Sequence, residues 1–186
     1  MQSTVPLRFT GLRKRVRSWA SSSPESSSRV PWIAKQMDQL LDAGGVQLVH
    51  FNGHGDWDNA ADLAALRLEN GETIKAMGFA GRNLGLVSHP VLYLNACSVG
   101  RVATTVGRPG GFAAICLDGN WSGVIAPYWS VYDPSAMRFC LELYGNLKLG
   151  YSVGEALQQI RSDHPDDFTA QSYSYFGDPW ARLLFQ

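Results

Sequence analysis

Three apolar runs of strand length, each followed at once by small or polar residues, constrain the fold most. They read VQLVHFN from Val46, VLYLNAC from Val91 and SGVIAPYW from Ser122. Runs that are apolar almost without interruption are typical of strands buried on both faces of a parallel sheet. Segments with helical character separate them, and alternating strands and helices predict an α/β fold. We therefore expect a three-layer sandwich with a mainly parallel central sheet.

The segments between and after these strands carry helix and turn signals. WIAKQMDQLLDAGG follows Pro31 and repeats apolar residues at helical spacing, and GGFAAICLDGN predicts a short helix. Two more helices are predicted near the carboxyl end, one from Asp133 and one after Ser152, whose spacing to Glu155 makes a capping box. The Asn-Gly pair in LAALRLENGETI predicts a hairpin with a tight primed turn.

Composition fits a single globular domain. The chain has 186 residues, of which 45% are apolar and 17% are charged, and its formal net charge is zero. Its apolar runs are too short for a transmembrane helix, so no membrane association is expected. The three cysteines form no CxxC pair, which predicts reduced thiols and a cytoplasmic location rather than a disulfide framework.

The first 30 residues differ from the rest. They are basic and Ser-rich, and we expect an edge strand in VPLRFTGL followed by a flexible loop, with the main domain spanning residues 31–186. LRKRVRSWASSS also fits a targeting peptide or a weak nucleic-acid patch, although a solvated loop or the start of an amphipathic helix is the simpler interpretation. No apolar segment of the secretory kind follows, and nucleic-acid binding is not directly indicated.

Three residues that carry chemistry follow the three predicted strands. In open parallel sheets, sites lie beyond the carboxyl ends of the strands, so His54, Cys97 and Asp133 are expected at one edge. An imidazole beside a cysteine can take the thiol proton and later protonate a leaving amine. The backbone N–H groups of Gly55 and Cys97 are expected to stabilise the oxyanion of a tetrahedral intermediate.

Other histidines and cysteines have plainer interpretations. We expect Cys116 and Cys140 to be core residues within helices, and His50 to be a packed, hydrogen-bonded strand residue. His50 and His54 have the spacing of a helical zinc motif, but the segment between them is not helical and holds no Glu base. No metal and no other cofactor is therefore expected.

An ordered set of phrases resembles a known enzyme family. VHFNGHG, LYLNACSVG, GVIAPYWSVYD, YSVGEALQQIR and YFGDPWARL, between Val46 and Leu184, are similar to the CHAT branch of the caspase-like cysteine peptidases of clan CD, which also resemble separase. The resemblance implies the caspase-hemoglobinase fold, with His54 as general base and Cys97 as nucleophile. The signature Q-A-C-[RQG]-G of caspases is replaced by NACSVG, and His54 lies 43 positions before Cys97.

The resemblance also implies a specificity. Asp133 matches an acidic residue that contributes to recognition of a basic P1 side chain in separase-like members, and a carboxylate pairs well with Arg. Alternatively, Asp133 only caps the helix that begins at Pro134. Asp56 and Asp58, after the His54 turn, are further candidates for an acidic cleft.

The implied function is that of a cysteine endopeptidase that cleaves a protein partner after Arg or Lys. Such peptidases are commonly held inactive until a regulatory or activating protein or domain orders their loops, and a bacterial defence or cell-death response is the implied setting. The alternative is a catalytically silent caspase-like scaffold that recruits a partner protein without cutting it.

Overall fold

The computed structural model describes residues 6–7, 34–43, 45–46, 48–58, 63–68, 71–100, 104–105, 108–109 and 111–185. Five helices are described: α1 (Ala34–Ala43), α2 (Gly111–Asp118), α3 (Asp133–Lys148), α4 (Val153–Asp163) and α5 (Phe168–Ser172). The strands are β1 (Pro6–Leu7), β2 (Leu48–Asn52), β3 (His54–Asp58), β4 (Leu63–Arg67), β5 (Thr73–Lys75), β6 (Val91–Asn95), β7 (Thr104–Thr105), β8 (Arg108–Pro109), β9 (Gly123–Pro127), β10 (Tyr173–Gly177) and β11 (Leu184–Phe185).

The central sheet contains the three strands that the apolar runs predict. Its order is β10-β9-β6-β2, in which β2, β6 and β9 are parallel and β10 runs antiparallel to β9. β6 pairs with β2 on one side and with β9 on the other, so the carboxyl ends of these three parallel strands lie side by side. The predicted α/β fold with a mainly parallel sheet is confirmed. The antiparallel strand β10 was not predicted.

Apolar side chains cover both faces of this sheet. On one face, alternate residues of β2, β6 and β9 pack with helices α1 and α2 and with the hairpin strands β4 and β5. On the other face, the intervening residues pack with α3 and α4. We call the first group the apolar cluster; its largest fully buried members include Phe79, Phe112, Leu92 and Leu94. We call the second the tyrosine cluster, because Tyr93 and Tyr173 are buried in it.

The predicted hairpin forms, with a longer turn than expected. β4 and β5 pair antiparallel, and the N–H of Leu68 donates to the carbonyl of Glu72 at 2.8 Å. Three residues therefore connect the strands rather than the two of a primed turn. Gly71 has a φ of +82°, a conformation that glycine adopts without steric cost and that three-residue hairpin loops use. Between β5 and β6 the chain forms a 3₁₀ turn, Ala76–Phe79, and a π turn, Leu84–Ser88.

The helices near the carboxyl end begin as predicted, with one correction. Ser152 caps α4, and the reciprocal hydrogen bonds with Glu155 that define a capping box are both present. Helix α3 has Tyr132 at its N-cap, without a side-chain capping bond, and Asp133 is its first helical residue. The suggestion that Asp133 caps this helix is therefore wrong, although its charge still suits the positive end of the helix dipole.

Two residues of the amino-terminal segment are described. Pro6–Leu7, within the predicted strand VPLRFTGL, forms β1, which pairs parallel with β11 in a two-stranded sheet. The Ser-rich loop expected at residues 18–31 lies outside the described residues. Within the part of the chain that the structure describes, none of the helices combines the length and apolar character needed to cross a bilayer.

Candidate active site

The ends of β2 and β6 are joined side by side just before the two candidate catalytic residues. The parallel register pairs Asn52 with Asn95. One residue further on, the N–H of Gly53 donates to the carbonyl of Asn95 at 3.2 Å. The chain then reaches His54 on one side and, two residues after Asn95, Cys97 on the other. The strand ends that the sequence predicts to be neighbours are therefore neighbours.

Gly55 lies against the segment that carries Cys97. A methyl group added at Gly55 would lie 2.5 Å from the carbonyl oxygen of Cys97, and it would also collide with the side chain of Val99. A side chain at position 55 would thus require the backbone to move. Because His54 is next to Gly55, the close approach of these two backbones brings the His54 and Cys97 segments into direct contact.

The turn that begins at Cys97 lies beside the end of the neighbouring strand β9 and is hydrogen-bonded to it. The N–H of Ser98 donates to the carbonyl of Trp129 at 3.3 Å, and the N–H of Gly100 donates to that of Pro127 at 2.8 Å. Ser98 has a φ of +58°, a left-handed conformation that is uncommon for residues other than glycine. Backbone strain of this kind often occurs at functional sites. The hydrogen bonds on both sides hold the turn in place.

The three candidate side chains differ in exposure. His54 is exposed and is the first residue of β3, which pairs with β4, so the chain resumes a strand where a simple turn was expected. Cys97 is half-buried with a free thiol. Asp133 is exposed at the start of α3, after the end of β9.

Asp56 is engaged by a neighbouring strand. Its carboxylate accepts hydrogen bonds from two nitrogens of Arg67; Nη2 lies 2.8 Å and Nε 3.1 Å from Oδ2. This ion pair offsets the charge of Asp56, which weakens its candidacy for an acidic cleft. The side chain of Asp58 lies outside the described residues.

Sequence reasoning missed a residue that bonds to the strand ends, Tyr173 on β10. Its hydroxyl donates to Oδ1 of Asn95, and Nδ2 of Asn95 donates to Oδ1 of Asn52 at 3.0 Å. Burial raises the pKa of Tyr173 well above its ordinary value; interaction with the hydroxyl of Tyr93 lowers it, and Coulomb interactions with Cys140 and, less strongly, with Cys97 and Asp133 raise it. In the sequence, the repeated pattern Asn-X-His and Asn-X-Cys marks Asn52 and Asn95 but gives no signal for Tyr173.

The residues assigned to packing behave as expected. Cys116 is fully buried in α2, and burial raises the pKa of its thiol strongly. Cys140 is partly buried in α3, where burial raises its pKa to about 11. His50 stacks on Tyr93 with ring centroids 4.3 Å apart, and its Nδ1 lies 3.1 Å from the hydroxyl of Tyr144. Thus neither buried thiol is poised to react at neutral pH, because the thiolate is the reactive form.

A half-buried thiol in a strained turn, in contact with a histidine-bearing segment at the carboxyl edge of a parallel sheet, is the type of site that cysteine peptidases use. The family model of Peptidase family C25 matches residues 9–184, nearly the whole chain. The chain therefore belongs to peptidase family C25, and it is a cysteine-type peptidase whose substrate is protein. No curated protein matches the sequence.

Proposed function

We propose that the chain is an endopeptidase that works with a dyad of His54 and Cys97. The observation that carries this proposal is the contact between the two segments: Gly53 is hydrogen-bonded to Asn95, and Gly55 packs on the backbone of Cys97. A histidine and a cysteine on segments this close can share a proton, which gives the thiol its nucleophilic form.

The proposed reaction proceeds by acyl transfer. Cys97 Sγ attacks the carbonyl carbon of the scissile bond while His54 takes the thiol proton. His54 returns that proton to the leaving amine as the C–N bond breaks, which leaves a thioester on Cys97. Water, deprotonated by His54, then attacks the thioester carbonyl; the C–S bond breaks, the product leaves as a carboxylic acid, and His54 returns the proton to the Cys97 sulfur. The N–H groups of Gly55 and Cys97 are the proposed donors to the oxyanion.

We further propose that the chain has the three-layer caspase-like architecture of the CHAT branch. The parallel order of β2, β6 and β9, together with apolar clusters on both faces of the sheet, supports this proposal. Asp133 is the proposed selector of Arg or Lys at P1. In its favour, the Asp133 carboxylate is exposed at the start of α3, after the end of β9, the strand next to the one that leads into Cys97.

The proposed setting is a bacterial cytoplasm, in a defence or cell-death response in which a regulatory protein or domain controls the peptidase. The free thiols of Cys97, Cys116 and Cys140 suit a reducing compartment. The regulatory partner and the setting rest on the resemblance to the CHAT branch, which is fold-level analogy.

The test is hydrolysis of fluorogenic peptides that differ only at P1, with the wild type, Cys97→Ala, His54→Ala and Asp133→Asn compared. We expect cleavage after Arg and Lys, and a fall of at least ~1000-fold in kcat/KM for the first two variants, because each removes a member of the dyad. Asp133→Asn should lower kcat/KM for Arg peptides ~10–100-fold, and less for neutral peptides.

Each part of the proposal has its own contrary outcome. Activity that survives Cys97→Ala contradicts the dyad. Cleavage after Asp or Leu keeps the dyad and removes the role of Asp133. If purified wild type cleaves none of the peptides and no added bacterial protein activates it, while Cys97 reacts with iodoacetamide no faster in the wild type than in His54→Ala, the silent scaffold is favoured.

A further inference from the structure

Two asparagines occupy equivalent positions relative to the proposed dyad. Asn52 precedes His54 by two residues, Asn95 precedes Cys97 by two, and the sheet register places the asparagines opposite each other. Both follow the alternation that directs His50 and Tyr93 to the face of the tyrosine cluster. The two strand ends are thus linked at one register position by a side-chain pair as well as by backbone.

Asn95 is bonded through every polar group of its side chain and through its carbonyl. Its Nδ2 donates to Oδ1 of Asn52 at 3.0 Å, and its Oδ1 accepts from Tyr173. Its backbone carbonyl accepts from Gly53. A side-chain amide bonded at both of its polar atoms has little rotational freedom. Together with the backbone bond, it fixes the strand end that leads into the Cys97 turn relative to the strand end that leads into His54.

Tyr173 is itself rigid. Its ring is fully buried and stacks on Phe139, with centroids 3.8 Å apart and planes 12° from parallel. The strand that carries it, β10, pairs with β9, and β9 in turn pairs with β6. A hydroxyl anchored in this way fixes Asn95 from the interior of the protein, on the side away from the solvent-exposed Asn52.

We propose that Asn52 and Asn95, held by Tyr173, are positioning residues that set the distance between His54 and Cys97. This inference rests on the proposed dyad. The chain of hydrogen bonds touches neither reacting atom; it acts by preventing the β2 and β6 ends from separating beyond the reach of a hydrogen bond between imidazole and thiol. Small displacements of this kind lower the rate of the chemical step far more than they lower affinity.

The test uses variants that separate hydrogen bonding from size. Asn52→Leu keeps the volume and removes the acceptor, whereas Asn52→Asp keeps an oxygen in the same place. Tyr173→Phe keeps the stacked ring and removes the hydroxyl. Gln159→Leu, which removes an exposed amide that donates to Asp163 on α4, is the matched control away from the proposed site. The unfolding midpoint of each variant in urea confirms that the protein is folded during the assay.

The first readout needs no substrate: the rate at which iodoacetamide alkylates Cys97, followed from pH 5 to 9. We expect a His54-dependent reaction below pH 7 in the wild type. Asn52→Leu and Tyr173→Phe should lower this rate ~10-fold or more, and Asn52→Asp should restore at least half of it. The second readout is peptide hydrolysis, where kcat should fall ~10–100-fold with KM changed less than ~3-fold.

Positioning is overturned if Asn52→Leu alkylates and cleaves within twofold of the wild type, or if Gln159→Leu loses as much rate. In both cases the proposed dyad stands as long as His54→Ala abolishes activity. If alkylation of Cys97 does not depend on His54 in the wild type, the dyad and the positioning role fail together. A loss in Asn52→Leu that Asn52→Asp does not restore identifies a steric role rather than a hydrogen-bonding one, and also overturns the proposal.

Discussion

The two faces of the central sheet are equally buried but are built from different chemistry. Among the described residues, the apolar cluster contains no side-chain oxygen: Trp121 supplies its only nitrogen, and Met37 and Cys116 supply its sulfur atoms. The tyrosine cluster buries the hydroxyls of Tyr93 and Tyr173 and packs against Tyr144 and Cys140. The same three strands therefore face an almost wholly hydrocarbon layer on one side and, on the other, a layer in which hydrocarbon is mixed with hydrogen-bonding groups.

This difference suggests that one face mainly stabilises the fold and the other mainly fixes the positions of side chains. Hydrocarbon contacts are non-directional, so the apolar cluster contributes free energy of folding without fixing any one side chain to a fraction of an ångström. Hydroxyls and amides bond at defined distances and angles. The tyrosine cluster contains Tyr173, whose hydroxyl donates to Asn95 at the end of the strand that leads into Cys97. We therefore expect its polar groups to matter more for the proposed site than for the stability of the fold.

The largest expected effect lies on the apolar face. Phe79 is fully buried and meets Phe112 edge to face, with ring centroids 5.3 Å apart. Phe79→Ala should lower the free energy of unfolding by about 3–5 kcal/mol, because it leaves a cavity in a close-packed cluster. Urea titration measures this loss. The His54-dependent alkylation of Cys97 in the folded variant should stay within twofold of the wild type; a ten-fold fall would show that the two faces are not separable.

The second effect is a dependence of stability on alkaline pH. Burial raises the folded-state pKa of Cys140 to about 11, from an ordinary value of 9.0, and raises that of Cys116 further. A group whose folded pKa is raised contributes stability that is complete below its unfolded pKa and is lost as pH rises towards its folded pKa. Stability should therefore fall between pH 9 and 11, by an amount on the order of 2 kcal/mol for Cys140 alone.

Cysteine variants show how much of the stability lost at alkaline pH comes from each face of the sheet. Cys116→Ala and Cys140→Ala should each reduce the slope of unfolding free energy against pH by about one proton between pH 9 and 11. In the double variant the decline should begin only above pH ~10, where tyrosines ionise in the unfolded chain. That remainder belongs to the tyrosine cluster, since burial raises the pKa of Tyr93, Tyr144 and Tyr173. A double variant with constant stability up to pH 11 would contradict this assignment.

The smallest effect tests a single hydroxyl. Tyr144 bonds to Nδ1 of His50, and Tyr144→Phe should lower the free energy of unfolding by only about 1 kcal/mol, the usual net contribution of one hydrogen bond. The reverse change, Phe79→Tyr, places a hydroxyl in the apolar cluster and should cost about 1–3 kcal/mol. Chemical denaturation of the pair gives both values. Equal costs would remove the distinction between the faces.

The sequence predicts the elements better than it predicts their partners. The strands β2, β6 and β9 were predicted because their apolar character is local, and the box formed by Ser152 and Glu155 is a local pattern as well. The edge strand β10 was missed because its residues, YSYFG, mix polar and aromatic side chains. These residues form a strand by pairing with β9, which is distant in sequence. A five-residue helix such as α5 leaves a similarly weak periodic signal.

In the candidate site, too, the residues with a local sequence signal were predictable, and those defined by long-range contacts were not. His54 and Cys97 could be singled out because each follows a buried strand, and adjacent parallel strands bring such positions together. The role of Tyr173 could not be predicted, because its bond to Asn95 spans 78 positions of the chain. Whether Asp133 caps its helix also depends on backbone dihedral angles at Tyr132 that no sequence pattern fixed.

The sheet order has a consequence for how the protein is assembled during translation. β2, β6 and β9 leave the ribosome in the order in which they pair, so each new strand can add to the edge of the one before it. β10 emerges after all three, and with it the Tyr173 hydroxyl that donates to Asn95. The bonds of Asn95 to Gly53 and Asn52 can thus form early, while the bond from Tyr173 is added only after most of the polypeptide has been synthesised.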